Sequence, residues 1–219
     1  MAICFDAPRA IGSTSRVLFT DPPDKPTTNL MDFTLVYWDT SLKPAQATRS
    51  RALEKHQVRR YFSGQLESLW KLHPTLKWFD NSGDIQRAHA KKFERRGVEF
   101  VPLVVEEFEL ICELDIEFLR PGRSGMVISE GGDIDNRIKV LLDALRVPTD
   151  GGEMQLGPGE INPSRIYCLL EDDKLVTSIK VRTDQLLVPD TADIFEACLV
   201  IRVSVKGRAG VDTPYEFRP

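Results

Sequence analysis

The sequence predicts an α/β (α+β) fold, a mixed β-sheet with helices packed on one side. Three features predict it: a clean period-two alternation over residues 109–118, a long helical stripe over residues 50–72, and two further alternating segments near the C-terminus. Elements that are apolar on one face must bury that face against one another. The order strand, helix, strand, helix, strand, strand does so most simply in one mixed sheet. With 219 residues, 42% of them apolar, the chain can build a real core. Its length fits a single domain better than two. That domain is expected over residues 31–206, with tails at 1–30 and 207–219.

Residues 1–30 are rich in Pro, Thr, Ser and Asp without a sustained apolar period, and are expected to pack late or not at all. The segment FTLVYW, from Phe33, has the β-branched and aromatic content of a strand covered on both faces. In the next element, Val58, Tyr61, Phe62, Leu66, Leu69 and Trp70 recur mostly at spacings of three and four, the mark of a buried helical stripe. Residues 80–97 are polar and basic-leaning, suited to a short helix or a flap. ELICELDIEF then alternates Leu110, Cys112, Leu114, Ile116 and Phe118 with mostly acidic partners, giving a strand with one face in the core. A short helix over residues 136–145 buries Ile138, Leu141, Leu142 and Leu145 and stops before Pro148. Residues 146–164 hold too many Gly and Pro for regular structure, and a loop of that length is expected beside the active site or a partner. Strands are expected around residues 175–182 and 198–206.

The net charge of −4 and pI near 5.5 exclude a protein that coats nucleic acid through its overall charge, so any DNA contact needs a local basic face. Cys4, Cys112, Cys168 and Cys198 are widely spaced with no C-x-x-C pair, which suggests neither a zinc site nor a redox motif. No apolar stretch is long enough for a membrane span, and the first residues lack the apolar centre of a signal peptide. The expectation is a cytoplasmic protein with no membrane association. His56, His73 and His89 form no H-E-x-x-H pair, and the chain has neither G-x-S-x-G nor G-K-[ST]. Zinc peptidase, hydrolase-elbow and P-loop chemistries therefore lack support.

The segment GGDIDNRIKVLLDAL carries the chemistry. Asp133 and Asp135 stand two residues apart where an apolar helix begins, so in an extended lead-in both carboxylates point the same way. Capping the helix explains one acid but hardly two together with Asn136. Lys139 follows Asp135 by one turn, and Asp143 follows Lys139 by another. The cation can project beside the acids and steady a phosphate. Glu171, Asp172 and Asp173 form a second acidic site, whose consecutive like charges call for solvent or a bridging cation. If Asp173 or Asp172 meets Asp133 and Asp135, the result is a hard-oxygen site for Mg²⁺ or Mn²⁺ suited to phosphodiester hydrolysis. Phosphate contacts are expected from Arg51, Lys55 and Arg59, spaced four apart on a single solvent face, and from Lys91, Lys92, Arg95 and Arg96.

The run Asp133-Ile-Asp135-Asn136-x-x-Lys139, then Leu142-Asp143-Ala144-Leu145 and later Asp172-Asp173, resembles the RusA-type Holliday junction resolvases. By motif the resemblance covers residues 131–145 and 171–176. It implies a RusA-like mixed α/β fold, a homodimer, and Mg²⁺-dependent cutting of branched DNA in recombination and repair. The catalytic set it implies is Asp133, Asp135, Lys139 and Asp173, with Asp133, Asp135 and Asp173 as metal ligands and Asp172 as the alternative to Asp173. The chain departs from the family in its acidic pI, its extended N-terminal region and the long stretch between Leu145 and Glu171. Two other functions fit the same residues: a RusA-like binding module without activity, and a nuclease for another nucleic-acid substrate.

Overall fold

The computed structural model of the protein describes residues 27–39, 48–83, 91–120, 134–187 and 197–208, without the side chains of residues 39, 48–51, 135 and 197. Strand β1 (Thr27–Asp39) starts six residues before Phe33 and so takes in the end of the expected tail. Of the stripe read from the spacing, helix α1 (Thr48–Leu72) buries Val58, Phe62, Leu66 and Trp70, while Leu69 is half-buried and Tyr61 is exposed. Helix α2 (Pro74–Asp80) opens on proline, whose missing N–H costs nothing in a first turn, and buries Leu76 and Phe79. Of the polar stretch 80–97, residues 84–90 lie outside the described residues and the rest leads into a hairpin.

That hairpin joins β2 (Glu94–Arg95) to β3 (Val98–Val104) through Arg96 and Gly97, whose φ angles of 50° and 76° suit a tight two-residue turn matching the strand twist. A short 3₁₀ turn and the left-handed Glu109 reverse the chain into β4 (Leu110–Arg120), whose burial alternates as its sequence does. Helix α3 (Ile134–Leu145) buries Leu141, Ala144 and Leu145. Strands β5 (Arg165–Leu170), β6 (Val176–Gln185) and β7 (Ala197–Arg208) complete the order.

The single sheet expected from the sequence is in fact two. The larger has the order β1-β7-β4-β6, with β6 parallel to β4 and the other neighbours antiparallel; the smaller has the order β2-β3-β5, with β3 and β5 parallel. The mixed α/β class holds. One core cluster joins the inner face of the large sheet to α1, α2, α3 and one face of the small sheet. A second cluster (Phe93, Val98, Phe100, Val105, Val147, Met154, Ile166 and Cys168) covers the other face of the small sheet. The outer face of the large sheet carries cross-strand ion pairs instead, Arg182 with Asp115 and Glu117, Arg202 with Glu117, and Lys206 with Glu113.

The two edges of the large sheet differ. On β1, the outward N–H of Val36 donates to Gln65 Oε1 (2.9 Å) and Gln65 Nε2 donates back to Val36 O (2.6 Å), so a side chain of α1 occupies the edge at Val36. On β6, residues 177–180 are all exposed, which means both faces of the strand meet solvent there. Among the described residues, no helix is long and apolar enough to cross a membrane.

Candidate metal and nucleic-acid site

Helix α3 begins at Ile134. Asp133, immediately before it in sequence, lies outside the described residues, and Asp135 sits in the first turn with its side chain likewise outside them. Asn136 and Lys139 are exposed while the leucines face the core, so the lysine points to solvent as the spacing predicts. Arg137 is mostly buried, its guanidinium 5.6 Å from the centre of the Phe118 ring, which fixes the start of α3 over the C-terminal end of β4.

The second acidic segment is largely absorbed by its surroundings. The Glu171 carboxylate accepts the N–H of Glu106 at 2.9 Å and pairs with Lys92 at 3.8 Å. Asp172 accepts the N–H of Lys174 at 3.0 Å and so caps the 3₁₀ turn Asp173–Leu175, while Lys174 pairs with Glu106 at 2.6 Å. The Asp173 side chain is exposed and makes no hydrogen bond or ion pair with a described residue, while its carbonyl accepts the N–H of Val176. Among the described residues no group of three or more His, Cys, Asp or Glu is placed to hold a metal ion; neither Asp133 nor the Asp135 side chain belongs to that set.

The first turn of α3 and the turn holding Asp173 attach near opposite ends of β4. The turn holding Asp173 leads directly into Val176, which pairs with Cys112 near the N-terminal end of β4. The first turn of α3 lies over Phe118, near the other end. The six steps from Cys112 to Phe118 span roughly 20 Å of extended chain. The return of α3 agrees with this, because Arg146, just past its C-terminus, bridges to Leu170 at the end of β5, three residues before Asp173. The expected meeting of Asp173 or Asp172 with Asp133 and Asp135 lies outside the described residues, because Asp133 and the Asp135 side chain do.

The basic set also divides. The Arg51 side chain lies outside the described residues. Arg59 is not on a solvent face: its side chain is 0% exposed, donating from Nε to Arg146 O (3.1 Å) and from an Nη to Asp143 O (2.7 Å), with Glu153 Oε2 at 3.6 Å. The assignment of Arg59 to phosphate is therefore corrected to a structural one. Lys55 pairs with Asp143, which also takes Arg146 at 3.0 Å. Burial pushes the Asp143 carboxyl up, but Lys55 and Arg146 outweigh it and hold it below the ordinary carboxylate value. Lys91 is exposed, Lys92 pairs with Glu107, and Arg95 donates to the carbonyls of Lys92 and Glu94. The Arg96 side chain lies against Gly151, where an added Cβ would come within 2.0 Å of its Nε.

Sequence reasoning missed the buried polar network under this face. His56, fully buried, shares a hydrogen bond with Asn162 through Nε2 (2.6 Å) and meets Arg59 through Nδ1 (3.3 Å). Because a guanidinium only donates, Nδ1 accepts and Nε2 carries the proton. Arg146 and Thr149 hold Glu153 at 3.1 and 2.7 Å, and Arg60 pairs with Glu160 at 2.9 Å. The Gly- and Pro-rich loop at 146–164 is thus fastened to α1 and the end of α3, irregular in backbone as expected but packed, with Val147 and Met154 in the second core cluster.

Comparison of the chain with family models, with curated proteins and with solved structures found no match. The reading of the site rests on its motif and its geometry.

Proposed function

We propose that the protein is a divalent-metal-dependent endonuclease of the RusA type, cutting Holliday junctions or related branched DNA, and that its complete acidic site is shared between two copies. One observation carries the reading: Asp133-x-Asp135-Asn136-x-x-Lys139 falls at the start of α3, whose first turn directs Lys139 to solvent while its apolar residues are buried. The donor chemistry fits Mg²⁺ or Mn²⁺, since the candidate ligands Asp133, Asp135 and Asp173 offer only hard carboxylate oxygens. A divalent ion there supplies an activated water and charge neutralisation at the phosphate. Lys139 would hold the phosphate by charge, and Lys91, Lys92 and Arg95 offer further contacts.

What supports a shared site is that the turn holding Asp173 and the first turn of α3 attach near opposite ends of β4. A second copy related by a two-fold axis can present its Asp173 to the first copy's Asp135, and the symmetry makes two such sites, as paired cuts on opposed strands require.

A labelled synthetic four-way junction and a linear duplex, with Mg²⁺ or EDTA, test the activity; Mg²⁺-dependent paired nicks on the junction are expected. Asp135→Asn and Asp173→Asn should each lose cleavage while keeping junction binding. Mixed together, they should regain part of the activity, because one site of each mixed dimer takes both intact acids. Undiminished cutting by either variant alone would sink the site assignment, and an inert mixture of two folded, binding variants would sink the sharing between copies.

A further inference from the structure

We infer that residues 155–164 are a strap that the neutral ring of His56 holds closed over α1 and that opens when the ring takes up a proton. The chain on either side is anchored by apolar burial, with Met154 and Ile166 both in the second core cluster. Between them no side chain is buried, and Ile161 stands 83% exposed. Polar contacts therefore hold the segment. Its last residue is tied to β3, since Ser164 O accepts the N–H of Glu99 at 2.9 Å. Among the described residues the rest reaches α1 through two links, Asn162 Oδ1 on His56 Nε2 at 2.6 Å and Glu160 on Arg60 at 2.9 Å. With side chains 33% and 36% exposed, the ion pair contributes little against solvent. The hydrogen bond to the buried ring is the principal link.

The two nitrogens of the ring face partners of different mobility. Nδ1 accepts from Arg59, whose guanidinium is fixed by the carbonyls of Asp143 and Arg146 and by Glu153. A proton on Nδ1 leaves donor facing donor and sets two cations 3.3 Å apart. Arg60, also on α1, adds to that repulsion, and Glu160 on the strap opposes it. Behind Arg59 stand Glu153, Arg146 and the Asp143–Lys55 pair, and β5 brings Cys168, whose thiol burial pushes up to about 12 and so keeps neutral. Arg59 cannot withdraw, so the imidazolium gains water by displacing the strap. In the closed form burial is the main cause holding the ring below the ordinary histidine value; the hydrogen bond to the neutral Asn162 amide opposes this and is outweighed. Opened to water, the ring returns to about 6.5. The closed form is therefore fully favoured above that pH. As the pH falls toward the depressed closed value, the ratio of open to closed rises by up to about tenfold per unit.

Spin labels at two exposed positions, Gln57→Cys on α1 and Ile161→Cys on the strap, test the opening in the full chain. The cysteines at 112, 168 and 198 are buried, and Cys4→Ser removes the remaining one. Pulsed dipolar spectroscopy should give one short distance at pH 7.5 and add a longer one at pH 5, the ratio of long to short rising about tenfold. Circular dichroism should stay the same at both, because the opening is local. His56→Gln keeps a donor near the place of Nε2 but takes up no proton, so its strap should stay closed at both pH values. Asn162→Asp sets a carboxylate on the ring and favours the imidazolium in place, so it too should keep the strap closed at pH 5. A single short distance in the parent at both pH values overturns the proposal. So does opening of His56→Gln to the same extent as the parent, or a longer distance that appears only with loss of the circular dichroism.

Discussion

Arg59 shows how far a spacing rule reaches at the scale of one residue. Its position four beyond Lys55 suggests a shared solvent face, yet it also stands three before Phe62 and seven before Leu66, which is the spacing of the buried stripe. The second pattern prevails because carbonyls of Asp143 and Arg146 await the guanidinium inside. Arg59→Ala should destabilise the fold by about 3 kcal/mol, the scale of removing one partner from a buried charged network, as measured by urea unfolding. A loss of junction affinity with unchanged stability would restore the phosphate assignment. His56 next to it sets a pH dependence. Burial is the main cause holding its imidazole below the ordinary histidine value, the Asn162 hydrogen bond opposes this, and Arg59 and Arg60 reinforce it. The folded state therefore keeps His56 neutral while the unfolded chain takes up a proton near the ordinary value of about 6.5. Stability is full above that pH and falls as the pH drops toward the depressed folded value. The melting temperature should decline from pH 7 to pH 5, and His56→Gln should flatten the decline; equal slopes would remove His56 as the cause.

At the scale of the element, legibility followed one-sidedness. Strand β4 has one face in the core and one in solvent, so its alternation appears in the sequence, as does the stripe of α1. Strands β3 and β5 are buried on both faces, between the two core clusters, and read as short apolar runs with no period. Pro102 further disguises β3, because proline is expected only where a strand lacks a neighbour. Its place is consistent: β2 is two residues long and pairs only as far as Glu99, so β3 is an edge by the time it reaches Pro102. The clamp on β1 belongs to this scale too. Gln65→Ala should remove two hydrogen bonds to Val36 and cost about 1–2 kcal/mol in denaturant unfolding. A change within error would mean that water replaces the amide at no loss.

For the whole molecule, candidate chemistry-bearing residues can be named from the sequence while their arrangement cannot. The motif around Asp135 names candidate ligands, but whether Asp173 faces them depends on the direction of α3 relative to β4, which no local pattern encodes. The two sheets escaped for a related reason, since β3 with β5 and β4 with β6 pair through contacts distant in sequence. If two copies join, as the shared-site proposal requires, folding and association are linked, and the melting temperature should rise with protein concentration. A concentration-independent melt of the parent would argue for a chain that folds and persists alone. The Gln65 clamp has a last consequence. Sheets open on both sides can add copies without limit and grow into fibres. With Gln65 held across Val36, a strand adding along this margin would first have to displace the amide, so at that point the margin is a poorer template for such growth than bare backbone.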